Sequence, residues 1–193
     1  NIKLFIKLKM RISIIGAGSW GTTFAVLLGE KGFDVKLWAR RQELANEIES
    51  KRENLQYLPG IKIPSNVIVD DSLSNVINGT EIVITAVPSE FLRNTMREIK
   101  PYFKNHIVVS VTKGLEYHNC KRMSQVIEDE IGKAKIAVLS GPNHAEEVSA
   151  KMPTASVVAS KDKKTASIVA ECLATPSFKL YQLGDVAGVE LCG

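Results

Sequence analysis

Gly16-Ala17-Gly18-Ser19-Trp20-Gly21 sets three glycines in a G-x-G-x-x-G pattern. Such a loop can turn tightly, let its backbone approach a diphosphate, and let a helix begin close against a strand. The helix that follows would offer unpaired N–H groups and a partial positive charge to an anion. Alone, the pattern is weak, because glycines cluster in many loops. About twenty residues on, Trp38-Ala39-Arg40-Arg41 puts two guanidiniums where an acid would select an unphosphorylated ribose, and no acid occurs until Glu43. Paired guanidiniums suit a phosphate through bidentate, charge-assisted bonds; they also read as surface charges at a helix start. Thr112-Lys113-Gly114 offers an amine that could pair with a phosphate or polarise a carbonyl, and spacing alone leaves a solvated loop lysine equally open. Ser140-Gly141-Pro142-Asn143-His144-Ala145 is a second polar loop, readable as an ordinary turn.

The remaining reactive types carry less. His106, His118 and His144 share no metal-ligand spacing with each other or with Cys120, Cys172 and Cys192, and no C-x-x-C pair occurs, so no metal site is expected. Glu146 and Glu147 read as first-turn helix acids, favoured there by the helix dipole.

The elements around these loops alternate. Arg11 to Ile15 is a compact β-branched run that reads as a buried strand, and Ser19 to Lys31 as a helix stopped by Gly32. Asp34 to Ala39 reads as a strand and Arg41 to Lys51 as a helix. Residues 54–66, with Pro59, Gly60 and Pro64, read as a loop. Strands follow at Val67 to Val69, Glu81 to Ala86, Ile107 to Val111, Ile136 to Leu139, Ala155 to Ala159 and Phe178 to Tyr181. Helices fall at Ser72 to Asn78, Ser89 to Ile99 (with Phe91, Leu92, Met96 and Ile99 as its apolar set), Cys120 to Glu130 and Thr165 to Leu173. This order predicts an α/β, Rossmann-like, doubly wound and mainly parallel sheet with helices on both faces. The glycine loop then stands between a strand and a helix, the context its pattern requires for dinucleotide binding, and Arg40 and Arg41 point to NADP(H), with NAD(H) left open.

The 193 residues carry 45% hydrophobic and 24% charged residues and a net charge of +4, ordinary for a globular chain and too mildly basic to suggest nucleic acid. No apolar stretch reaches the roughly 18 residues of a membrane span. Three scattered cysteines fit a reducing cytoplasm. Residues 1–9 (NIKLFIKLK) are basic and apolar, but no small-residue cleavage site stands apart from the glycine loop; Met10 reads as the natural start and residues 1–9 as an extension.

Taken in order, the glycine loop with Ser19-Trp20, Asn54 to Gly60 (NLQYLPG), Ala86-Val87-Pro88-Ser89, Val111 to Glu116 (VTKGLE) and Ser140 to Val148 (SGPNHAEEV) resemble the bacterial NAD(P)-dependent glycerol-3-phosphate dehydrogenase family, from Met10 to Gly193. The resemblance implies hydride transfer between NAD(P)H and dihydroxyacetone phosphate, giving sn-glycerol 3-phosphate for phospholipid synthesis. By motif, Gly16, Gly18, Ser19, Trp20, Gly21, Arg40 and Arg41 would contact the cofactor, Lys113 both cofactor and substrate, Gly141 and Asn143 the substrate, and Ala145 the cofactor. Asn143 stands where many members have serine. The resemblance further implies a dinucleotide-binding domain over residues 10–183 and, from 184–193, the start of a largely absent C-terminal helical substrate domain. The family's proton-transferring lysine would lie beyond Gly193, so no catalytic residue is assigned within the chain, and a homodimer is left open for the full-length form. Two other readings stay open: another NADP-linked reductase acting on a keto acid or imine, and a non-catalytic nucleotide-binding module.

Overall fold

A computed structural model describes residues 10–193; the extension assigned to residues 1–9 lies outside the described residues. Strand β1 (Arg11–Ile15) leads through the glycine loop into helix α1 (Ser19–Glu30) and on to β2 (Asp34–Trp38) and α2 (Gln42–Lys51). A short hairpin, β3 (Glu53–Asn54) and β4 (Leu58–Lys62), precedes β5 (Val67–Asp70) and α3 (Leu73–Ile77). Then come β6 (Ile82–Thr85), α4 (Ser89–Ile99), β7 (Ile107–Ser110), α5 (Met123–Ile131), β8 (Lys135–Ser140), α6 (Ala145–Ser149), β9 (Thr154–Ala159), α7 (Lys163–Leu173), β10 (Phe178–Leu183) and α8 (Val186–Cys192).

Eight strands form one sheet in the order β10-β9-β8-β7-β6-β1-β2-β5. All neighbours are parallel except β8 and β9, which pair antiparallel. The sheet is therefore mainly parallel and Rossmann-like. Its central strands are apolar along almost their whole length because both faces are covered. Alternate residues feed two cores. Ile12, Ile14 and Val109 pack with Phe24, Leu28 and Phe178 on one face. Ile15, Val83 and Val108 pack with Leu92, Met96, Val126 and Ile127 on the other.

Three local expectations change. Residues 54–66 are not all loop, since Glu53 pairs with Lys62 and Asn54 with Leu58 in an antiparallel ribbon whose register shifts between these pairs. Pro59 is accommodated because a bulged two-stranded ribbon leaves N–H positions outside the ladder, and Gly60 adopts φ +82°. Helix α5 starts at Met123 rather than Cys120; Cys120 turns left-handed at φ 51° and its N–H donates to the Glu116 carbonyl. The start of α5 is fixed from afar, since the Glu190 carboxylate on α8 accepts from the Ser124 N–H (2.7 Å) and the Ser124 hydroxyl (2.6 Å). Finally, Phe91 leaves the apolar set of α4: Leu92, Met96 and Ile99 are buried, but Phe91 is 42% exposed.

Candidate cofactor cleft

Strand β1 sits where the chain changes direction across the sheet: β2 and β5 extend to one side of it, β6, β7 and β8 to the other. Open α/β sheets bind ligands outside the carboxyl ends of their strands at such a switch point. Here Ile15 is in register with Trp38 on β2 and Thr85 on β6, so the three strands end level and their loops rise together. Between those loops lies a cleft of about 250 Å³, walled by Gly16–Gly18, Trp38–Arg41, Ala86–Pro88, Tyr57 and Phe91.

The three glycines have three different causes. Gly16 adopts φ +116°, and a Cβ there would stand 2.8 Å from the Ala86 carbonyl oxygen. A Cβ on Gly21 would drive into the Gly16 carbonyl, so this glycine lets α1 fold back onto its own loop. Gly18 is different. Its φ of −78° suits any residue, and a Cβ there would meet no protein atom within 4 Å. Neither backbone conformation nor packing requires glycine at this N-cap of α1. The absence of a side chain leaves the loop open to the close approach of a ligand. This cradle, the free N–H groups of the first turn of α1 and two nearby guanidiniums fit a dinucleotide diphosphate.

The arginines are held over the cleft by neutral partners. The Arg40 guanidinium carbon lies 5.4 Å from the centroid of the Phe91 ring, a cation–π distance. Arg41 donates from Nη2 to Gln56 Oε1 at 2.5 Å. Trp38 is buried in the wall, its indole N–H donating to the Asp71 carbonyl at 2.8 Å. Ser19 and Trp20 open α1, but Trp20 stacks on Phe24 (centroids 5.4 Å apart) and is not among the residues lining this cleft.

A second group gathers along the same sheet edge. Lys113, in the loop after β7, donates from Nζ to the Gly141 carbonyl after β8 at 2.9 Å. Thr112 fixes the base of that loop, its hydroxyl donating to the Val87 carbonyl at 2.8 Å. Asn143 is buried, and its side-chain amide donates to the Ser156 hydroxyl. The Ala145 carbonyl accepts from the Thr23 hydroxyl at 3.2 Å, tying α6 to α1. The structure thus joins Lys113 directly to Gly141, while Asn143 faces β9. Gly141 lines a separate depression of about 270 Å³ with Pro142, Val189 and Cys192. A larger depression of about 420 Å³, between α1, α6 and the Thr175–Ser177 turn, contains none of the candidate residues.

Partners and burial set the titratable groups at the two ends of β7. Bonds from the Arg93 guanidinium, at 2.5 and 2.9 Å, hold the Glu116 carboxyl down at about 2. Burial pushes the His106 imidazole below its usual range, and its Nδ1 accepts from the Lys104 N–H, so it serves as a neutral acceptor in the fold. Among the described residues, no three His, Cys, Asp or Glu side chains come together as a metal site. No helix among them is long and apolar enough to cross a membrane.

Sequence reasoning did not single out Phe91, Tyr57 or Gln56 for this cleft. Tyr57 and Gln56 sit inside the NLQYLPG segment, but only the hairpin brings Gln56 onto Arg41 and Tyr57 into the cleft wall. Phe91 carried a contrary signal, since its spacing matched the apolar face of α4.

Comparison with known proteins agrees with this geometry. Residues 11–166 match the family model described as NAD-dependent glycerol-3-phosphate dehydrogenase N-terminus. The chain is 45% identical over 188 residues to a glycerol-3-phosphate dehydrogenase [NAD(P)+] of Chlorobium phaeobacteroides (strain BS1), covering 95% of this chain and 56% of that protein. It is 46% identical over 187 residues to the protein of the same name in Moorella thermoacetica, again covering 56% of it. The crystal structure of glycerol-3-phosphate dehydrogenase from Coxiella burnetii superposes with a TM-score of 0.92 at 33% identity, over 96% of this chain and 57% of that one. The chain therefore spans little more than half the length of these relatives. Across that span, with a glycine loop at the switch point and a family match over most of its residues, the chain belongs to the NAD-dependent glycerol-3-phosphate dehydrogenase N-terminus family.

Proposed function

We propose that this chain is the cofactor-binding part of a glycerol-3-phosphate dehydrogenase that takes NADP(H) in preference to NAD(H), and that the whole enzyme interconverts dihydroxyacetone phosphate and sn-glycerol 3-phosphate. The observation that carries the reading is Gly18, a glycine explained by neither its own backbone nor its neighbours, at the N-terminus of α1 in the switch-point cleft. The bound nicotinamide would supply or accept the hydride. The glycine loop and the first turn of α1, including Ser19 and Trp20, would hold the diphosphate, and Arg40 and Arg41 the 2′-phosphate. Lys113, already reaching Gly141, would bring a positive charge to the substrate phosphate or carbonyl, beside Gly141 and Asn143. Ala145 would complete the cofactor side. Residues 10–183 would form the dinucleotide-binding domain, and residues 184–193 would lead into a substrate domain.

Titration of the chain with NADPH and with NADH tests this, followed by the intrinsic fluorescence of its two tryptophans, of which Trp38 lies in the cleft wall. Saturable binding, tighter for NADPH, is expected. Gly18→Ala should raise the Kd for both cofactors about tenfold or more. It should move Tm by no more than about 3 °C, because alanine at an N-cap costs only about 1 kcal/mol relative to glycine and loses less chain entropy on folding. Absence of saturation in the folded wild type, or unchanged affinity in Gly18→Ala, would refute the assignment.

A further inference from the structure

We propose that the β3–β4 hairpin is a positioning element of the cofactor cleft, with Asn54 setting the phosphate loop and Gln56 setting the preference for a 2′-phosphate through Arg41. This rests on the reading that the cleft takes NADP(H).

Asn54 is fully buried, and its amide spans the junction of loop and helix. Nδ2 donates to the Ala17 carbonyl (3.0 Å) and to the Thr22 hydroxyl (2.9 Å), while Oδ1 accepts from the Tyr57 N–H (3.2 Å). Ala17 and Thr22 bracket the segment Gly18–Gly21. In a trans peptide the carbonyl of one residue and the N–H of the next point in opposite directions. Holding the Ala17 oxygen therefore fixes the direction of the Gly18 N–H, one of the donors proposed for the diphosphate. Leucine would fill the same space with no such consequence. An asparagine with both donors and its acceptor engaged specifies the loop's orientation as well as its packing.

Gln56 is exposed, and the contact it makes is with Arg41. A guanidinium in solvent samples many rotamers; a bond to Gln56 narrows them over the cleft. The partner's neutrality matters as much. A carboxylate at position 56 would neutralise Arg41 and repel a 2′-phosphate, whereas an amide orients the cation and leaves its charge unspent. Arg40 is treated alike, resting on the Phe91 ring rather than on an acid.

The test measures Kd for NADPH and NADH on the wild type, Gln56→Glu, Arg41→Ala, the Gln56→Glu/Arg41→Ala pair and Asn54→Ala. Gln56→Glu should weaken NADPH about tenfold and NADH less than twofold, and this selective loss should shrink to the direct repulsion by the carboxylate, about threefold or less, when Arg41 is already alanine. Asn54→Ala should weaken both cofactors by the same factor, about fivefold or more, leaving their ratio intact. For Gln56, a structural role alone would not move the ratio of the two constants; for Asn54, affinities within twofold of wild type in the folded variant would overturn its positioning role. If the wild type binds NADPH but Gln56→Glu keeps that ratio within twofold, the specificity role is overturned and the cleft reading survives. If the folded wild type binds neither cofactor, both fall. Gln56 lies on the surface, so its variants report even if Asn54→Ala does not fold.

Discussion

Three glycines within six residues stand in three different surroundings, and two of them predict opposite phenotypes. Gly21 faces the Gly16 carbonyl. Gly21→Ala should therefore cost about 2–3 kcal/mol through overpacking and lower Tm by roughly 5–10 °C, by calorimetry. Gly18→Ala should leave stability nearly unchanged and remove affinity. If the two variants exchanged these phenotypes, the account of the loop would be wrong. Arg40 stands on Phe91 over the cleft, and Arg40→Ala should weaken NADPH more than NADH; equal losses would remove the 2′-phosphate role. The cysteines divide by environment. Burial pushes the Cys172 thiol up to about 11, while Cys120 and Cys192 are exposed. A thiol reagent at pH 8 should label two cysteines quickly and the third only on unfolding.

At the scale of elements, Arg93 on α4 is a hub. It meets Glu116 in the lysine loop and Asp129 and Glu130 on α5. The carboxyl of Asp129 is held below its ordinary value by Lys121 and then Arg93, and that of Glu130, against the opposing effect of burial, by Arg93 and Arg97. Because the Glu116 carboxyl falls from 4.5 to about 2 on folding, the stability it contributes is complete above about pH 4.5 and drains away as pH falls toward 2. Urea unfolding of wild type and Arg93→Ala at pH 7 and pH 3 should show the variant less stable at pH 7, with the gap narrowing at pH 3. A gap that stays constant with pH would mean that the ion pairs contribute little. The hub also bears on Lys113, three residues before Glu116, since anchoring that loop to α4 keeps the amine within reach of Gly141.

For the whole molecule, the sheet order places the switch point at β1 and the level strand ends open one cleft there. The residues proposed to act in this chain bind and orient: glycine loop, two arginines, Lys113 and its neighbours. None is assigned to carry the proton that carbonyl reduction needs. The purified 193-residue chain is thus expected to bind NADPH yet reduce dihydroxyacetone phosphate slowly or not at all, measured as NADPH oxidation at 340 nm. Rapid turnover would show that an acid–base group is present among these residues.

Local chemistry alone determined much of this. The compact β-branched runs, the helix-period segments and the glycine loop between them set the Rossmann-like class, because each reports on which faces are buried and which backbone angles are allowed. The place of Arg40, Arg41, Lys113 and Gly141 at the carboxyl edge was legible too, as they follow strands, while the roles expected of Lys113 and Gly141 came from the family resemblance. What tertiary structure decided are contacts between segments distant in sequence. The start of α5 depends on Glu190 of α8, some 66 residues away. The hairpin at residues 53–62 is tied to the glycine loop through Asn54, buried against Ala17 and Thr22. Phe91 stands outside the Leu92–Met96–Ile99 stripe that meets the core, and its ring meets Arg40 at the cleft instead. Periodicity describes one element against an average neighbour; it cannot register a particular neighbour brought up by the fold.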